Sequence, residues 1–451
     1  MSNLALTDLY QLTMAQSYLD SGKAEDIVTF EYFIRSLPQD WGYFIICGID
    51  KLIKDITELS LTFKHYNLSD STSREYLFKN KILNKKTLDY LNNFQFTGSI
   101  NAMDEGSIVF PNEPILQVTA PLIQAQLLET FILNQLNFQI MIASKASRIV
   151  NAAKNKPVVD FGLRRAHGEE AGVLGAKACY IGGCTGTSNV EAGTKYNIPL
   201  SGTHAHSFVM AFDNELDAFR AYVKSFPNNS TLLIDTYNIF QGAKNAVIIA
   251  KEMESRGEKL NAIRIDSGDF TLNVPVVRGI LDESGLNYVK IVVSNDLNEY
   301  KIARFLNDYN LPIDSFGVGT EMITSKPTAA IGGVYKMVEN KNGVVMKKSE
   351  GKITYPGKKQ ITRFHAKYGE EFINDKIHLN NEGVVGVEEI TSKLLTNKIK
   401  DGTIAYQEKT LYKIREKSLM EVKKLPDYLK TIKVETNYPI NISKKLNELI
   451  R

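Results

Sequence analysis

The stretch from Leu232 to Asp266, LLIDTYNIFQGAKNAVIIAKEMESRGEKLNAIRID, decides the fold. It begins with a short apolar strand candidate, Leu232–Asp235, and continues through a segment with helical spacing of apolar residues, Ala243–Met253. A second strand candidate, Ile263–Asp266, follows. Because parallel strands are usually joined by a helix, this stretch predicts one βαβ unit.

The same alternation extends to both sides of this stretch. It follows an amphipathic helix whose apolar positions are Leu127, Leu128, Phe131, Ile132, Leu136 and Ile140. The other strand candidates are Val158–Phe161, Gly183–Gly186, Leu200–Thr203, Ile291–Ser294 and Phe316–Gly319, and the other helical stretches include Leu216–Val223 and Tyr300–Leu306. Repeated strand–helix units predict a parallel sheet, either open or closed into a barrel.

The two ends of the chain have a different character. Residues 1 to about 120 are rich in β-type segments such as Ile27–Ile34 and Phe44–Cys47. β character returns after about residue 335, and residues 385–451 are Lys-rich and resemble surface strands and helices. We expect the ends to pair into one domain, with residues 1–125 and 336–451 flanking a central domain of residues 126–335.

Composition excludes several classes of protein. The 451 residues include 54 basic and 51 acidic side chains, a balance that argues against nucleic-acid and membrane-surface partners. The cysteines Cys47, Cys179 and Cys184 form neither a disulfide framework nor a zinc pattern. We see no signal peptide and no run near the ~20 apolar residues of a membrane span. The expected compartment is therefore the cytoplasm.

Clusters of polar residues lie at the carboxyl ends of six of the predicted strands. They are Asp160-Phe-Gly-Leu-Arg164-Arg165, Gly202-Thr-His204-Ala-His206-Ser207, Asp235-Thr-Tyr-Asn238, Arg264-Ile-Asp266-Ser-Gly-Asp269, Ser294-Asn-Asp296 and Gly317-Val-Gly319-Thr320. Since parallel βα units bind ligands at the carboxyl ends of their strands, these clusters should converge on one mouth. The mixture of cations, acids, hydroxyls and glycines suits a phosphorylated sugar bound with a divalent metal.

The basic and histidine residues each allow more than one interpretation. Arg164 and Arg165 are either surface ion-pair partners or forked donors to pyrophosphate or carboxylate oxygens. His204 and His206 are two of only six histidines, and the chain supplies no third metal ligand at convincing spacing. His206 is either an ordinary polar side chain or a nucleophile toward a phosphoryl group.

The acids, glycines and aromatics are also open to two interpretations. Asp235, Asp266, Asp269 and Asp296 either cap helices or form a site for magnesium and ribose hydroxyls. The loop Gly317-Val-Gly319-Thr320 is either a turn or a phosphate cradle. Tyr10 and Phe161 are candidates for a ligand pocket, although core packing is the more common role of such aromatics.

These segments, in this order, resemble the nicotinate phosphoribosyltransferase family along most of the chain. The opening Leu6-Thr-Asp8-Leu-Tyr10-Gln-Leu-Thr13-Met14 is similar to the start of that family. The clusters at Asp160–Arg165, Gly202–Ser207, Arg264–Asp269 and Phe316–Thr320 match in turn, followed by Ser349-Glu-Gly-Lys352 and Pro356-Gly-Lys-Lys-Gln360. Any one of these motifs is weak, whereas their order is specific.

The resemblance implies an irregular, incomplete TIM-like α/β barrel in the middle and an α/β domain formed by both chain ends. It also implies a homodimer with active sites at the subunit interface. The implied reaction converts nicotinate, phosphoribosyl pyrophosphate, ATP and water into nicotinate mononucleotide, diphosphate, ADP and phosphate. Mg²⁺ takes part, and the reaction belongs to NAD biosynthesis.

The resemblance also implies a role for individual residues. His206 is similar to the phosphorylated histidine of the family, and His206, Asp235 and Asp266 are the expected catalytic residues. The implied nicotinate pocket consists of Tyr10, Phe161, Thr203 and Arg264, with Tyr10 from the partner subunit. The implied phosphoribosyl and pyrophosphate site consists of Arg164, Arg165, Gly317, Gly319 and Thr320, and the implied metal ligands are Asp266 and Asp269.

Three alternatives compete with this interpretation. A related phosphoribosyltransferase would use nicotinamide or quinolinate instead of nicotinate. A ligand-binding relative would keep the scaffold without catalysis, although the acids, the arginines and His206 argue against it. A phosphate-binding TIM-barrel aldolase would need a Schiff-base lysine at a strand end, and the sequence offers none there.

Overall fold

The computed structural model describes residues 6–65, 72–347, 354–383 and 390–450. The chain divides into two compact units, one formed by Met1–Met141 with Ala330–Arg451 and the other by Ile142–Ala329. Both chain ends therefore belong to the same unit. The motif Ser349-Glu-Gly-Lys352 lies outside the described residues.

The N-terminal part of the chain contains both helices and strands. Its elements are α1 (Leu9–Asp20), β1 (Ile27–Ile34), β2 (Phe44–Ile45), α2 (Ile49–His65), α3 (Thr72–Lys79), α4 (Lys85–Asn92), β3 (Ser99–Ala102), β4 (Ile108–Val109), β5 (Leu116–Pro121) and α5 (Leu122–Ala152). Strand β1 has the predicted bounds, and α5 contains the predicted amphipathic helix.

The expectation of a region rich in β-type segments before residue 120 is wrong for the described residues between 49 and 92, which contain the helices α2, α3 and α4. The physical reason is clearest in α2, where Ile49, Leu52, Ile53 and Ile56 are all fully buried. Their spacing of three and four residues places them on one face of a helix. This helical signal was present in the sequence and outweighs the local β-type composition.

The central elements alternate between strands and helices. They are β6 (Val158–Asp160), α6 (Glu169–Ile181), β7 (Gly186–Thr187), α7 (Val190–Tyr196), α8 (His206–Met210), α9 (Glu215–Ser225), β8 (Thr231–Leu233), α10 (Ile239–Ser255), β9 (Ala262–Ile265), α11 (Phe270–Glu283), β10 (Lys290–Ser294), α12 (Glu299–Asn307), β11 (Ser315–Val318) and α13 (Thr320–Ile323). Their strands form one sheet in the order β7-β6-β11-β10-β9-β8, and every pairing in it is parallel.

The protein is thus a mixed α/β structure with a parallel sheet at the centre of its second unit. One predicted strand, Leu200–Thr203, is absent from this sheet, because only Leu200 makes an isolated parallel bridge, to Thr187. The predicted strand Gly183–Gly186 is shifted, since β7 begins at Gly186. The sheet core is apolar: Ile263 and Ile265 of β9 and Ile291 and Val293 of β10 are fully buried.

Side-chain caps explain where several central helices begin. The side chain of Asn238 accepts hydrogen bonds from the backbone N–H groups of Phe240 and Gln241 at the start of α10. Asn298 caps α12 in the same manner through Lys301. Asn238 follows β8 and Asn298 follows β10, so each cap fixes where the helix begins after the strand–helix turn.

The C-terminal part of the chain returns to β structure. Its elements are β12 (Gly333–Asn340), β13 (Gly343–Val344), β14 (Lys359–His365), β15 (Phe372–Leu379), β16 (Ile390–Lys393), β17 (Thr396–Lys400), β18 (Thr403–Ile404), α14 (Leu411–Lys423), β19 (Ile440–Ile442) and α15 (Lys444–Ile450). Strand β12 pairs with β1 and β17 pairs with β3, both antiparallel. Both chain ends therefore contribute to one seven-stranded sheet, β13-β12-β1-β5-β3-β17-β18.

Candidate active site

A cleft lies at the carboxyl ends of four strands in the parallel sheet, β6, β9, β10 and β11. It encloses about 570 Å³ of empty space, part of it open to solvent. The lining residues are Phe161, Arg164, Arg165, Arg264, Asp266, Ser294, Asn295, Asp296, Gly317, Gly319 and Thr320.

The floor of the cleft depends on a contact between an aromatic ring and a glycine. A Cβ atom added at Gly317 would lie 2.4 Å from the Phe161 ring. The turn that carries Phe161 is organised by Asp160, whose carboxylate accepts hydrogen bonds from the Gly162 N–H at 2.9 Å and the Thr187 hydroxyl at 2.7 Å. Burial raises the pKa of Asp160. Gly317 is therefore needed to make room for the ring as well as being available to a ligand.

Three guanidinium groups make the cleft an anion site. Arg164 and Arg165 are exposed on a short 3-10 turn after β6. Arg264 lies on β9, and its Nη2 donates to the carbonyl oxygen of His204 at 3.4 Å. The Arg264 Nε is buried without a hydrogen-bond partner. Burial lowers the pKa of Arg264, while the carboxylates of Asp266 and Asp235 oppose that shift.

His206 is the first residue of α8 and stands beside this cleft. Its Nδ1 lies 3.2 Å from the hydroxyl oxygen of Thr236, and its Nε2 lies 3.9 Å from Oδ2 of Asp266. The His206 side chain is 41% exposed, so a ligand in solution can reach it. Asp266 therefore links the imidazole of His206 to the cleft that contains Arg264.

The two aspartates predicted to be catalytic are held by neighbouring groups. Asp235 Oδ2 accepts hydrogen bonds from the Asp266 N–H at 3.0 Å and the Ser267 hydroxyl at 2.5 Å. The other oxygen of Asp235 is buried and has no hydrogen-bond partner. Asp266 Oδ1 accepts the hydroxyl of Ser294. Asp266 thus faces the cleft, and Asp235 supports the turn behind it.

Three of the predicted site residues are placed elsewhere. Thr203 donates its hydroxyl to the His204 carbonyl oxygen at 3.1 Å and does not line the cleft. Tyr10 lies on α1 of the other unit, where it is 47% exposed. Asp269 caps α11, accepting from the Thr271 N–H at 2.8 Å and the Thr271 hydroxyl at 2.7 Å.

The geometry gives limited support to a metal site built from protein ligands. Within the described parts of the chain, no group of three or more His, Cys, Asp or Glu side chains could hold a metal ion. Asp269 is absent from the cleft lining, whereas Asp266 belongs to it. A metal with few protein ligands, completed by water and substrate phosphates, is the arrangement that Mg²⁺ usually adopts.

Ser294, Asn295 and Thr236 are site residues for which the sequence predicted no individual role, whereas Asp296 was expected either to cap a helix or to belong to a site for magnesium and ribose hydroxyls. Asn295 and Asp296 have positive φ angles of 95° and 45°, in a turn after β10. Asn and Asp tolerate this conformation better than most residues. All four belong to the polar clusters recognised at strand ends. Their exact orientation depends on backbone angles and on contacts distant in sequence.

The fold and the site together define an α/β enzyme that binds anionic, phosphorylated small molecules at the carboxyl ends of a parallel sheet. Two family models match the chain: the N-terminal domain of nicotinate phosphoribosyltransferase over residues 5–137, and the nicotinate phosphoribosyltransferase family over residues 157–375. The chain belongs to the nicotinate phosphoribosyltransferase family, whose enzymes serve NAD biosynthesis.

Similar proteins cover nearly the whole chain. A nicotinate phosphoribosyltransferase from Mycobacterium tuberculosis is 37% identical over 447 residues, which are 99% of this chain and 93% of the relative. One from Bacillus subtilis is 36% identical over 97% of this chain and 92% of the relative. The crystal structure of human nicotinic acid phosphoribosyltransferase is 25% identical with a TM-score of 0.84, covering 98% of this chain and 99% of that one. Among the described residues, no helix has the length and apolarity needed to cross a membrane.

Proposed function

We propose that this chain transfers the phosphoribosyl group of phosphoribosyl pyrophosphate to nicotinate and couples the transfer to ATP hydrolysis through His206. The observation that carries this proposal is a cleft lined by Asp266 and three arginines, with the His206 imidazole beside it, 3.9 Å from Asp266. The relatives named above support the substrates. The products are nicotinate mononucleotide, diphosphate, ADP and phosphate.

The first step concerns the imidazole of His206. In the proposed tautomer its Nδ1–H donates to the Thr236 hydroxyl oxygen, which leaves the Nε2 lone pair available. Nε2 attacks the terminal phosphorus of ATP, the bond to the bridging oxygen breaks, and ADP leaves. The Asp266 carboxylate, 3.9 Å from Nε2, only accepts hydrogen bonds and therefore leaves this lone pair free. Water later releases phosphate from the imidazole.

The phosphorylated imidazole provides the coupling. It carries roughly −1.5 to −2 charges at neutral pH, next to a cleft lined by Arg164, Arg165 and Arg264. The phosphoryl group adds negative charge next to a cleft rich in cations. The affinity for phosphoribosyl pyrophosphate therefore differs between the phosphorylated and the unphosphorylated protein. Such a difference in binding is what allows hydrolysis to drive synthesis.

Nicotinate is proposed to bind between Phe161 and Arg264. The Phe161 ring covers the floor of the cleft, and a flat pyridine stacks on such a surface. Arg264 has an unsatisfied buried Nε, which suits the nicotinate carboxylate. Thr203 and Tyr10 complete the proposed pocket, Thr203 by holding the His204 carbonyl and Tyr10 from the partner subunit of a homodimer.

Phosphoribosyl pyrophosphate is proposed to occupy the rest of the cleft. Arg164 and Arg165 bind its pyrophosphate, and Gly317, Gly319 and Thr320 bind its 5-phosphate. The nicotinate ring nitrogen forms a bond to the anomeric carbon as the bond to pyrophosphate breaks. Arg164 and Arg165 neutralise the leaving group, while Asp266, supported by Asp235, faces the positive charge that develops on the sugar.

Mg²⁺ fits this arrangement with Asp266 as the carboxylate placed to hold it. When bound, the ion would neutralise pyrophosphate oxygens. We further propose that the parallel sheet forms an irregular, incomplete TIM-like barrel and that both chain ends form one α/β domain. The working form is a cytoplasmic homodimer with active sites at the interface.

A turnover assay tests the proposal. Purified protein is supplied with phosphoribosyl pyrophosphate and either nicotinate, nicotinamide or quinolinate, with and without ATP. Preferential, ATP-stimulated turnover of nicotinate is expected, together with one acid-labile phosphate on His206 by mass spectrometry. Preference for nicotinamide or quinolinate would reject the substrate, and absence of turnover and ATP hydrolysis would favour a binding protein.

A further inference from the structure

The parallel sheet has two ends, β7 and β8, among the described strands. The segment before His206 contacts both of them. At β7, the Thr187 N–H donates to the Pro199 carbonyl oxygen and the Ser201 N–H donates to the Thr187 carbonyl oxygen, both at 3.0 Å. Residues 199–201 therefore continue the hydrogen bonding of the sheet past β7 without forming a strand.

At β8, the contact is made by a side chain. The Leu233 N–H donates to Nε2 of His204 at 3.1 Å. The neighbouring Ile234 N–H donates to the Arg264 carbonyl oxygen, toward β9. Since successive N–H groups of a strand point to opposite sides, the Leu233 N–H points to the side without a strand partner. The His204 imidazole takes the place of a carbonyl from a missing neighbouring strand.

The surroundings of His204 keep it neutral and able to accept this hydrogen bond. The residue is 7% exposed, and its ring packs among the aromatic rings of Phe208, Phe219 and Tyr222. Burial lowers the pKa of His204 to about 4, with the nearby charges of Arg264 and His206 acting in the same direction. Because Nε2 accepts, the ring proton is on Nδ1, which faces the Ala205 carbonyl oxygen at 3.5 Å.

The backbone of the same residue contacts the nicotinate pocket. Its carbonyl oxygen accepts Nη2 of Arg264 at 3.4 Å and the Thr203 hydroxyl at 3.1 Å. Two residues further on, the chain reaches His206. A displacement of His204 would therefore move a partner of Arg264 and the imidazole of His206 together.

We infer that His204 is a positioning residue that joins the segment 199–204 to the free edge of β8 and thereby sets both His206 and the Arg264 guanidinium. This role deepens the proposed function and, for His206, rests on it. His204 takes no part in bond making, because its ring is buried and both of its nitrogens face backbone groups of the protein.

The test compares two substitutions in the full-length protein. His204→Gln keeps an acceptor atom near the position of Nε2, whereas His204→Leu fills much of the space without one. We expect His204→Leu to raise the KM for nicotinate and to slow phosphorylation of His206, each by about tenfold, as misplacement of reacting groups does. His204→Gln should recover most of both losses. The control is His167→Leu, at an exposed histidine outside the cleft.

Further readouts separate this role from a general loss of stability. Hydrogen–deuterium exchange of a peptide containing Leu233 should increase in His204→Leu and stay low in His204→Gln. If His204→Leu fails to fold, the test rests on His204→Gln. A nearly wild-type KM for nicotinate with slow exchange at Leu233 supports the role. A tenfold rise in that KM with slow exchange overturns it. A folded Leu variant with wild-type kinetics also overturns it.

The proposed function can fail independently. If wild-type protein carries no phosphate on His206 after ATP treatment, the phosphohistidine proposal is wrong. The nicotinate KM and the exchange at Leu233 still report on His204 in that case. Unchanged values for both in His204→Leu would then reject the positioning role itself.

Discussion

Nε2 of His206 and Oδ2 of Asp266 face one another across 3.9 Å, although 60 residues separate them in the chain. His206 begins α8, and Asp266 directly follows β9. Asp266 also lines the cleft that contains Arg264. This pair therefore joins the predicted phosphoryl acceptor to the predicted substrate site.

His206→Ala is expected to abolish the coupling between ATP hydrolysis and product formation while leaving weak ATP-independent transfer. The variant lacks the nucleophilic nitrogen but retains the arginines and Asp266. The measurement is the ratio of ADP to nicotinate mononucleotide formed, with exposed His167→Ala as the control. ATP hydrolysis that remains in step with product formation in His206→Ala would refute the role of His206.

Arg264→Ala is expected to raise the KM for nicotinate by roughly 10- to 150-fold, because a hydrogen bond to a charged group contributes about 1.5–3 kcal/mol. The KM for ATP should change much less. Arg220→Ala is a matched control, since Arg220 is a surface residue of α9 paired with Glu252. Equal increases in both KM values would contradict the placement of Arg264 in the nicotinate pocket.

Gly317→Ala is expected to displace the Phe161 ring and to weaken nicotinate binding. The added Cβ would lie 2.4 Å from a ring carbon, a distance that requires movement of the ring. Gly279→Ala is the control, because a Cβ at that position in α11 meets nothing within 4 Å. The double variant Gly317→Ala, Phe161→Leu should lose less affinity for nicotinate than the sum of the losses in the two single variants. Wild-type KM for nicotinate in Gly317→Ala would be inconsistent with this contact.

Acid should destabilise the wild-type protein partly through His204. Its pKa is lowered to about 4 in the folded state, first by burial, whereas an unfolded chain protonates it near 6.5. Between these values the unfolded state binds more protons, so the free energy of unfolding decreases as the pH falls from about 6.5 toward 4. Thermal unfolding in small pH steps should show a shallower decline for His204→Gln than for the wild type or His167→Gln. Parallel curves for all three would argue against a neutral, buried His204.

Arg363→Met is expected to lower the free energy of unfolding by about 3–5 kcal/mol, because it leaves a buried carboxylate without its cation. Arg363 is fully buried and donates to both oxygens of Asp375, at 2.9 and 2.6 Å. Glu113 lies in the same cluster, where burial and the charge of Asp375 raise its pKa. Denaturant unfolding measures the effect, and Arg220→Met should cause a much smaller change. Similar stability of the two variants would contradict this reasoning.

The sequence predicted most of the parallel strands because each of these is a short apolar run followed by a polar turn, whereas β7, which consists of Gly186 and Thr187, lacks an apolar run and was predicted with shifted bounds. Strands β9 and β10 appear within one residue of their expected bounds. The predicted strand Leu200–Thr203 is wrong for a tertiary reason: its segment contacts β7 through backbone bonds and β8 through the His204 side chain. Composition and periodicity carry no information about such a contact.

The candidate site could be predicted as a set of strand ends but not as a set of contacts. Arg264 and Asp266 could be assigned to the ligand site because both lie near the carboxyl end of one predicted strand, two residues apart. Asp269 belongs to the same motif, yet its carboxylate caps α11. Both roles are natural for an aspartate after a strand, and only the direction of the turn decides between them.

Four separate strand–helix units line the cleft, with Phe161 after β6, Arg264 on β9, Asn295 after β10 and Thr320 after β11. Each turn is attached to the same buried sheet, so one can be exchanged while the other three keep their supports. The turn after β6 carries both Phe161, proposed to face the pyridine, and Arg164 and Arg165, proposed to bind pyrophosphate, so exchange of that turn would alter both contacts at once, whereas the turn after β10 carries neither. A site formed by separate turns in this way is suited to the transfer of single turns between relatives.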